Sequence, residues 1–169
     1  PPYITVKDAA LNVAYRGRYK TCHMKYSLGV PFTERFFELA RRPASADFSQ
    51  DAGDVGLITA NSFMKREFGS KLIEEVLPRL DLSHVVDSSG AWIPGHNRDG
   101  TATVILFGRH RPPMESNPIR TVMGIRSEPG TPSIPAEGLV WSAIVEQVDR
   151  VGSESDYISV ADTPRSVFA

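Results

Sequence analysis

The sequence predicts an α/β layered sheet whose last strand turns back against its neighbour. Three observations carry this. Short apolar runs suited to buried strands occur at 54–60 (DVGLITA), 84–87 (HVVD) and 103–107 (TVILF). An amphipathic stretch lies between the first two, which is the alternation of an α/β sheet. Between the last two lies only a Gly- and Pro-containing stretch, 88–101, read as a hairpin loop that makes the final strand antiparallel.

In chain order, residues 4–21 carry no clean period and read as a loop with a short helix over 9–15. Residues 24–42 read as a helix, because Tyr26, Val30, Phe32, Phe36, Phe37 and Ala40 form a broad apolar face. Pro31 interrupts it, so the helix kinks or starts there. Residues 43–53 (PASADFSQDAG) are loop-like. After the 54–60 strand, Asn61 and Ser62 offer helix-capping chemistry. A helix over 63–80 follows, with Phe63, Phe68, Leu72, Ile73, Val76, Leu77 and Leu80 as its apolar positions and Pro78 distorting its last turn. Residues 112–138 hold Pro112, Pro113, Pro118, Pro129, Pro132 and Pro135, an extended connector with a strand at 120–125. A short helix over 138–148 and a strand at 157–160 end the pattern. No internal repeat is visible.

The chain has 169 residues, 41% hydrophobic and 23% charged, which suits one globular unit with a real core. No apolar run is long enough to cross a bilayer as a helix. The first residue is Pro1, so the chain reads as a piece of a longer reading frame: half of a sheet, with an exposed edge. Cys22 is the single cysteine, which excludes a disulfide within the chain and fits a cytoplasmic protein. The four histidines show no metal-ligand spacing.

Net charge is -1, but its distribution is uneven. Residues 1–30 hold Lys7, Arg16, Arg18, Lys20 and Lys25 against Asp8 alone, and 96–111 hold Arg98, Arg109 and Arg111 against Asp99. Residues 127–169 hold seven acids against Arg150 and Arg165. A local phosphate-binding face is compatible with this, although on charge alone ordinary solvated surface is the better account.

The chain opens PPYITVKD. Pro-Pro-Tyr is the tail of the Asn-Pro-Pro-Tyr signature of amino-group methyltransferases. The downstream segments ITANSFM, FGSKLIEEVLPRLDLSHVVD and IPGHNRDGTATVILFGRHRP stand where such enzymes carry strand five with an Asn-containing turn, the next helix and strand six, and the hairpin into strand seven. Together they resemble the adenine-specific DNA methyltransferases of bacterial phage defence, the phage-growth-limitation or BREX-type family. The resemblance runs over 1–113 and continues more loosely through TVMGIRSEPG, GLVWSAIVEQVD and YISVAD.

The resemblance implies the carboxyl-terminal half of a Rossmann-like class I methyltransferase sheet over 1–111, with a Pro-rich connector and the start of a further α/β region over 112–169. It implies S-adenosylmethionine as methyl donor, although nothing in this chain matches the glycine-rich strand–turn–helix that binds it. The implied substrate is double-stranded DNA with an adenine turned out of the helix, the implied partners other phage-defence proteins. The adenine amine is a poor nucleophile because its lone pair is delocalised into the ring. Acceptors aimed at its N–H groups favour the pyramidal, attacking nitrogen. In the family these are the motif's Asn, which would precede Pro1, and the carbonyl of Pro1. Pro2 helps fix that backbone, and Tyr3 stacks on the extruded base. Transfer depends on positioning and calls for no metal. Lys7, Arg16, Arg18 and Lys20 are candidate phosphate contacts, and His96, Asn97 and Thr101 candidate contacts to the target base.

Three other readings remain at this point. The same motif serves protein glutamine methyltransferases, whose amide nitrogen poses the same problem. The chain also fits a non-catalytic module that binds DNA or a defence partner, or a truncated reading frame with no function of its own. Without the motif's Asn and the cofactor half, the chain alone is expected not to turn over.

Overall fold

The computed structural model describes residues 2–44, 51–95 and 101–168. Two helices come first. Helix α1 (Ala9–Arg18) is started by Asp8, whose carboxylate accepts the Leu11 N–H at 2.7 Å. None of its residues is fully buried, and it touches the first core through Tyr15. Helix α2 (Gly29–Leu39) buries Val30, Thr33, Glu34 and Phe37. It is shorter than the 24–42 expected from its apolar face, and it starts beside Pro31, which sits in the first turn where no intrahelical N–H partner is needed.

Five strands form one sheet: β1 (Asp54–Ala60), β2 (Asp81–Asp87), β3 (Thr103–Arg109), β4 (Ile119–Gly124) and β5 (Ile158–Thr163). Their order is β1-β3-β2-β4-β5. Strand β3 lies antiparallel between β1 and β2, which run in the same direction. Strand β4 is parallel to β2, and β5 is antiparallel to β4. The antiparallel return read from the gap between the second and third apolar runs is present. The segment after position 111 adds β4 and β5 to the same sheet.

Adjacent side chains of a strand point to opposite faces, and the two cores follow that rule except in β2, where a register shift between Leu82 and His84 lets Leu82 and Val85 share a face. Val55, Leu57, Leu82, Val85, Val104, Leu106 and Ile119 meet Phe37, Phe63, Phe68 and Leu72 on one face. Val86, Val122, Ile158 and Val160 meet Val140, Ala143 and Ile144 of helix α3 (Leu139–Gln147) on the other. Where α3 does not reach, Phe107 lies across Gly56 of β1 and meets His84 of β2 edge-on at 5.9 Å. A Cβ on Gly56 would stand 2.9 Å from that ring, so the glycine makes room for it.

The long helix expected over 63–80 is absent. The segment forms 3-10 turns at Asn61–Met64 and Glu67–Gly69, a π turn at Leu72–Val76 and a 3-10 turn at Leu77–Arg79. Two features explain the break. A Cβ on Gly69 would stand 1.9 Å from the Phe63 carbonyl oxygen, so the chain folds back on itself at a glycine. Pro78 has no N–H to continue an α-helical ladder, and Leu77 donates instead to Leu72, one residue further back. Asn61 and Ser62 make no side-chain cap either. Among the described residues, no helix is long and apolar enough to cross a membrane.

Candidate active site at the carboxyl ends of the strands

Strands β1 and β2 end at the same edge of the sheet. In open α/β sheets ligands bind outside the carboxyl ends of parallel strands. At this edge Asn61 follows β1, is buried, and donates its N–H to the Ala102 carbonyl at 2.9 Å. Ser88 follows β2, and its hydroxyl meets that of Thr103 at 2.9 Å in a buried pair. Thr101, half-buried, stands just before β3 at this edge. His96 and Asn97 lie outside the described residues, as does Pro1.

The motif's tail is anchored to the helical pair. Pro2 is exposed and Tyr3 half-buried. The Ile4 carbonyl accepts the Leu28 N–H at 2.8 Å, one residue before α2 begins, and Val6 packs on the first core. Burial pushes the Tyr3 phenol above its ordinary value.

The four basic residues after the motif differ in availability. Arg16 donates to the Asn12 side chain at 2.7 Å, to the Cys22 carbonyl at 3.0 Å and to the Met24 carbonyl, and lies over the Tyr26 ring. Its guanidinium thus organises the loop between α1 and α2. Arg18 pairs with Glu38 at 2.7 Å on the surface. The Lys7 and Lys20 side chains are exposed. That loop is further fixed by Glu34, which accepts the Thr21 hydroxyl at 2.8 Å and its N–H at 3.1 Å in the interior.

Three residues at this edge escaped the reading of the sequence as site residues. Asn61 carried a visible signal, its place directly after an apolar strand, but that signal equally suits a helix cap. The Ser88–Thr103 pair carried none, because two common hydroxyl residues 15 positions apart meet only through the β2–β3 register.

A five-stranded sheet in which an antiparallel strand enters between two that run the same way is consistent with part of a class I methyltransferase domain. No protein-family model matches the chain. It is 53% identical over 170 residues to the adenine-specific methyltransferase PglX of Streptomyces coelicolor, covering 99% of this chain and 14% of that protein. It is 28% identical over 145 residues to the type II methyltransferase M.PaeR7I of Pseudomonas aeruginosa, covering 78% of this chain and 23% of that one. The chain is thus related, over nearly its whole length, to a segment of an adenine-specific methyltransferase, as its opening motif led one to expect. It spans less than a quarter of the length of either relative.

Proposed function

We propose that the protein carrying this chain methylates the exocyclic amine of adenine in DNA, as part of a bacterial phage-defence system of the BREX type. The observation that carries this is the 53% identity to PglX across the whole stretch that begins with Pro1-Pro2-Tyr3. S-adenosylmethionine supplies the methyl group. The glycine-rich turn that would cradle it has no counterpart among these residues, so none of them is given a contact to it. We infer a cytoplasmic protein, a reading supported by the lone cysteine of this chain and by a DNA substrate.

The chain's own part is to receive and orient the base. The Pro1 carbonyl accepts an N–H of the amine, holding the nitrogen lone pair toward the donor. Pro2 fixes the backbone that aims this carbonyl. Tyr3 stacks on the extruded adenine and offsets part of the unstacking cost. Thr101, His96 and Asn97 contact the base from the β2–β3 loop. Lys7, Arg18 and Lys20 meet phosphates, while Arg16 shapes the loop from which they project.

The test is transfer of labelled methyl from S-adenosylmethionine to unmodified DNA by the full-length protein with its defence partners, beside a Tyr3→Ala sample. Label on adenine, reduced about 100-fold or more by Tyr3→Ala, is expected. Label on a protein glutamine with none on DNA would replace this reading with protein methylation. Salt-dependent DNA binding with no transfer at all would leave a binding module.

A further inference from the structure

Helices α1 and α2 enclose a surface cavity of about 160 Å³, lined by Tyr15, Tyr19, Leu28, Pro31, Phe32 and Arg35. That is the scale of one ring system, well below the roughly 300 Å³ or more of a drug-sized ligand site. Tyr15 and Tyr19 meet edge-to-face at 6.2 Å, and the Arg18 guanidinium lies 5.0 Å from the Tyr19 ring. Phe32 shares the lining and stands 6.4 Å from Phe36. The rings are half-buried, so an edge or face of each remains open.

The electrostatic setting is cationic. Residues 1–42 carry eight Lys and Arg against three Asp and Glu, a formal +5, whereas the rest of the chain carries eleven against seventeen. Of the three acids, Asp8 caps α1 and Glu34 is turned inward onto Thr21. Glu38 bridges Arg18 at 2.7 Å and Arg35, in the cavity wall, at 3.0 Å. Those three side chains together remain positive. Three rings and a proline within a basic surface are what binds unpaired bases irrespective of their identity: every base has a face to stack, and its phosphate brings the negative charge.

The cavity is also joined to the motif. Leu28, in its wall, donates its N–H to the carbonyl of Ile4, the neighbour of Tyr3. We propose that this cavity takes an unpaired DNA base next to the target adenine, stacked among Tyr15, Tyr19 and Phe32 with its phosphate at Arg18 and Arg35. The site rests on the DNA reading above and adds a second base to it. Opening a duplex to extrude one adenine leaves neighbouring bases partly unstacked, and a sequence-tolerant platform holds them apart.

The test is the full-length protein binding a labelled single-stranded DNA oligonucleotide, read by fluorescence anisotropy over a salt series. Tyr19→Ala and Phe32→Ala should each weaken binding about tenfold with the salt slope unchanged. Tyr19→Phe, which keeps the ring, should bind as the parent does. Arg18→Ala should instead lower the salt slope by about one unit. The unaltered protein gives an independent readout that needs no variant to fold: photocross-linking to DNA bearing 5-iodouracil should place cross-links at Tyr15, Tyr19 or Phe32. Cross-links elsewhere only, or folded alanine variants that bind as tightly as the parent, overturn the cavity site while leaving DNA methylation intact. No salt-dependent DNA binding by the parent overturns both.

Discussion

The two cores on opposite faces of the sheet are built differently. The larger is made from distant pieces of chain: four strands, β1 to β4, with α2 and the broken run of turns over 61–79, and the aromatic residues Tyr26, Phe37, Phe63 and Phe68 fill it. The smaller is nearly all β-branched and aliphatic, closed by one regular helix between two strands, β4–α3–β5. Strand β2 serves both, with Val85 in the first and Val86 in the second. The smaller core is therefore an extension of the sheet that carries the motif. The larger core holds the helical pair, and through it the tail of the motif.

The sharpest way to probe that difference is to make one cavity in each core. Leu106 is 1% exposed in β3, which is paired on both sides. Ile158 is 0% exposed, but β5 ends the sheet among the described residues. Leu106→Ala should cost about 4–5 kcal/mol and Ile158→Ala about 2–3 kcal/mol, since a site at a sheet edge relaxes more readily. Urea unfolding followed by circular dichroism measures both. One shifted transition in each case is expected because β2 belongs to both cores. A separate early transition in Ile158→Ala alone would make the β4–α3–β5 region an independent unit.

The seam between the halves is narrow, with three register pairs between β2 and β4. It is reinforced by a buried charge cluster. Asp81 opens β2 and accepts from Arg111 at 2.7 Å and from Arg165, after β5, at 2.7 Å. Arg165 also donates to the Leu82 and Asn117 carbonyls, both at 2.8 Å. The three side chains are only 9–10% exposed, so removing Asp81 takes from two buried guanidiniums the carboxylate they share. Asp81→Ala should cost about 3 kcal/mol, because two buried guanidiniums lose their shared carboxylate. Arg165→Met should cost about 1–2 kcal/mol, because Arg111 still neutralises Asp81. The ranking in thermal unfolding is the check. A costlier Arg165→Met would mean that its carbonyl bonds, rather than the charge pair, fasten the seam.

What could be read in advance follows from how local its cause is. The strand at 54–60 was legible in full, because an apolar run between turn residues fixes it. Strand β2 was read only from His84, since nothing local shows that Asp81 belongs in a strand. It is buried there by arginines 30 and 84 residues away. The 63–80 helix failed for a similar reason. Its apolar spacing is helical, but the contact of Gly69 with the Phe63 backbone is tertiary. In the site, the motif was plain. That Arg16 organises its own loop was hidden, because its partners include the carbonyls of Cys22 and Met24.

The smallest expected effect tests the face that α3 leaves open. His84 sits there between Phe107 and the strand seam, and burial lowers its value from the ordinary 6.5, with Arg120 adding to the shift. Asp149 and Asp162 pull the other way and do not prevail. The folded protein therefore keeps His84 neutral at pH values where the unfolded chain takes up a proton. Stability should be level above pH 7, fall as pH drops through about 6.5, and level off again for this group once the folded form is protonated too. His84→Gln should flatten that part of a melting-temperature profile. An unchanged profile would mean that this open face is wet enough to leave the imidazole unperturbed, and that Phe107 covers less of the sheet than its place over Gly56 implies.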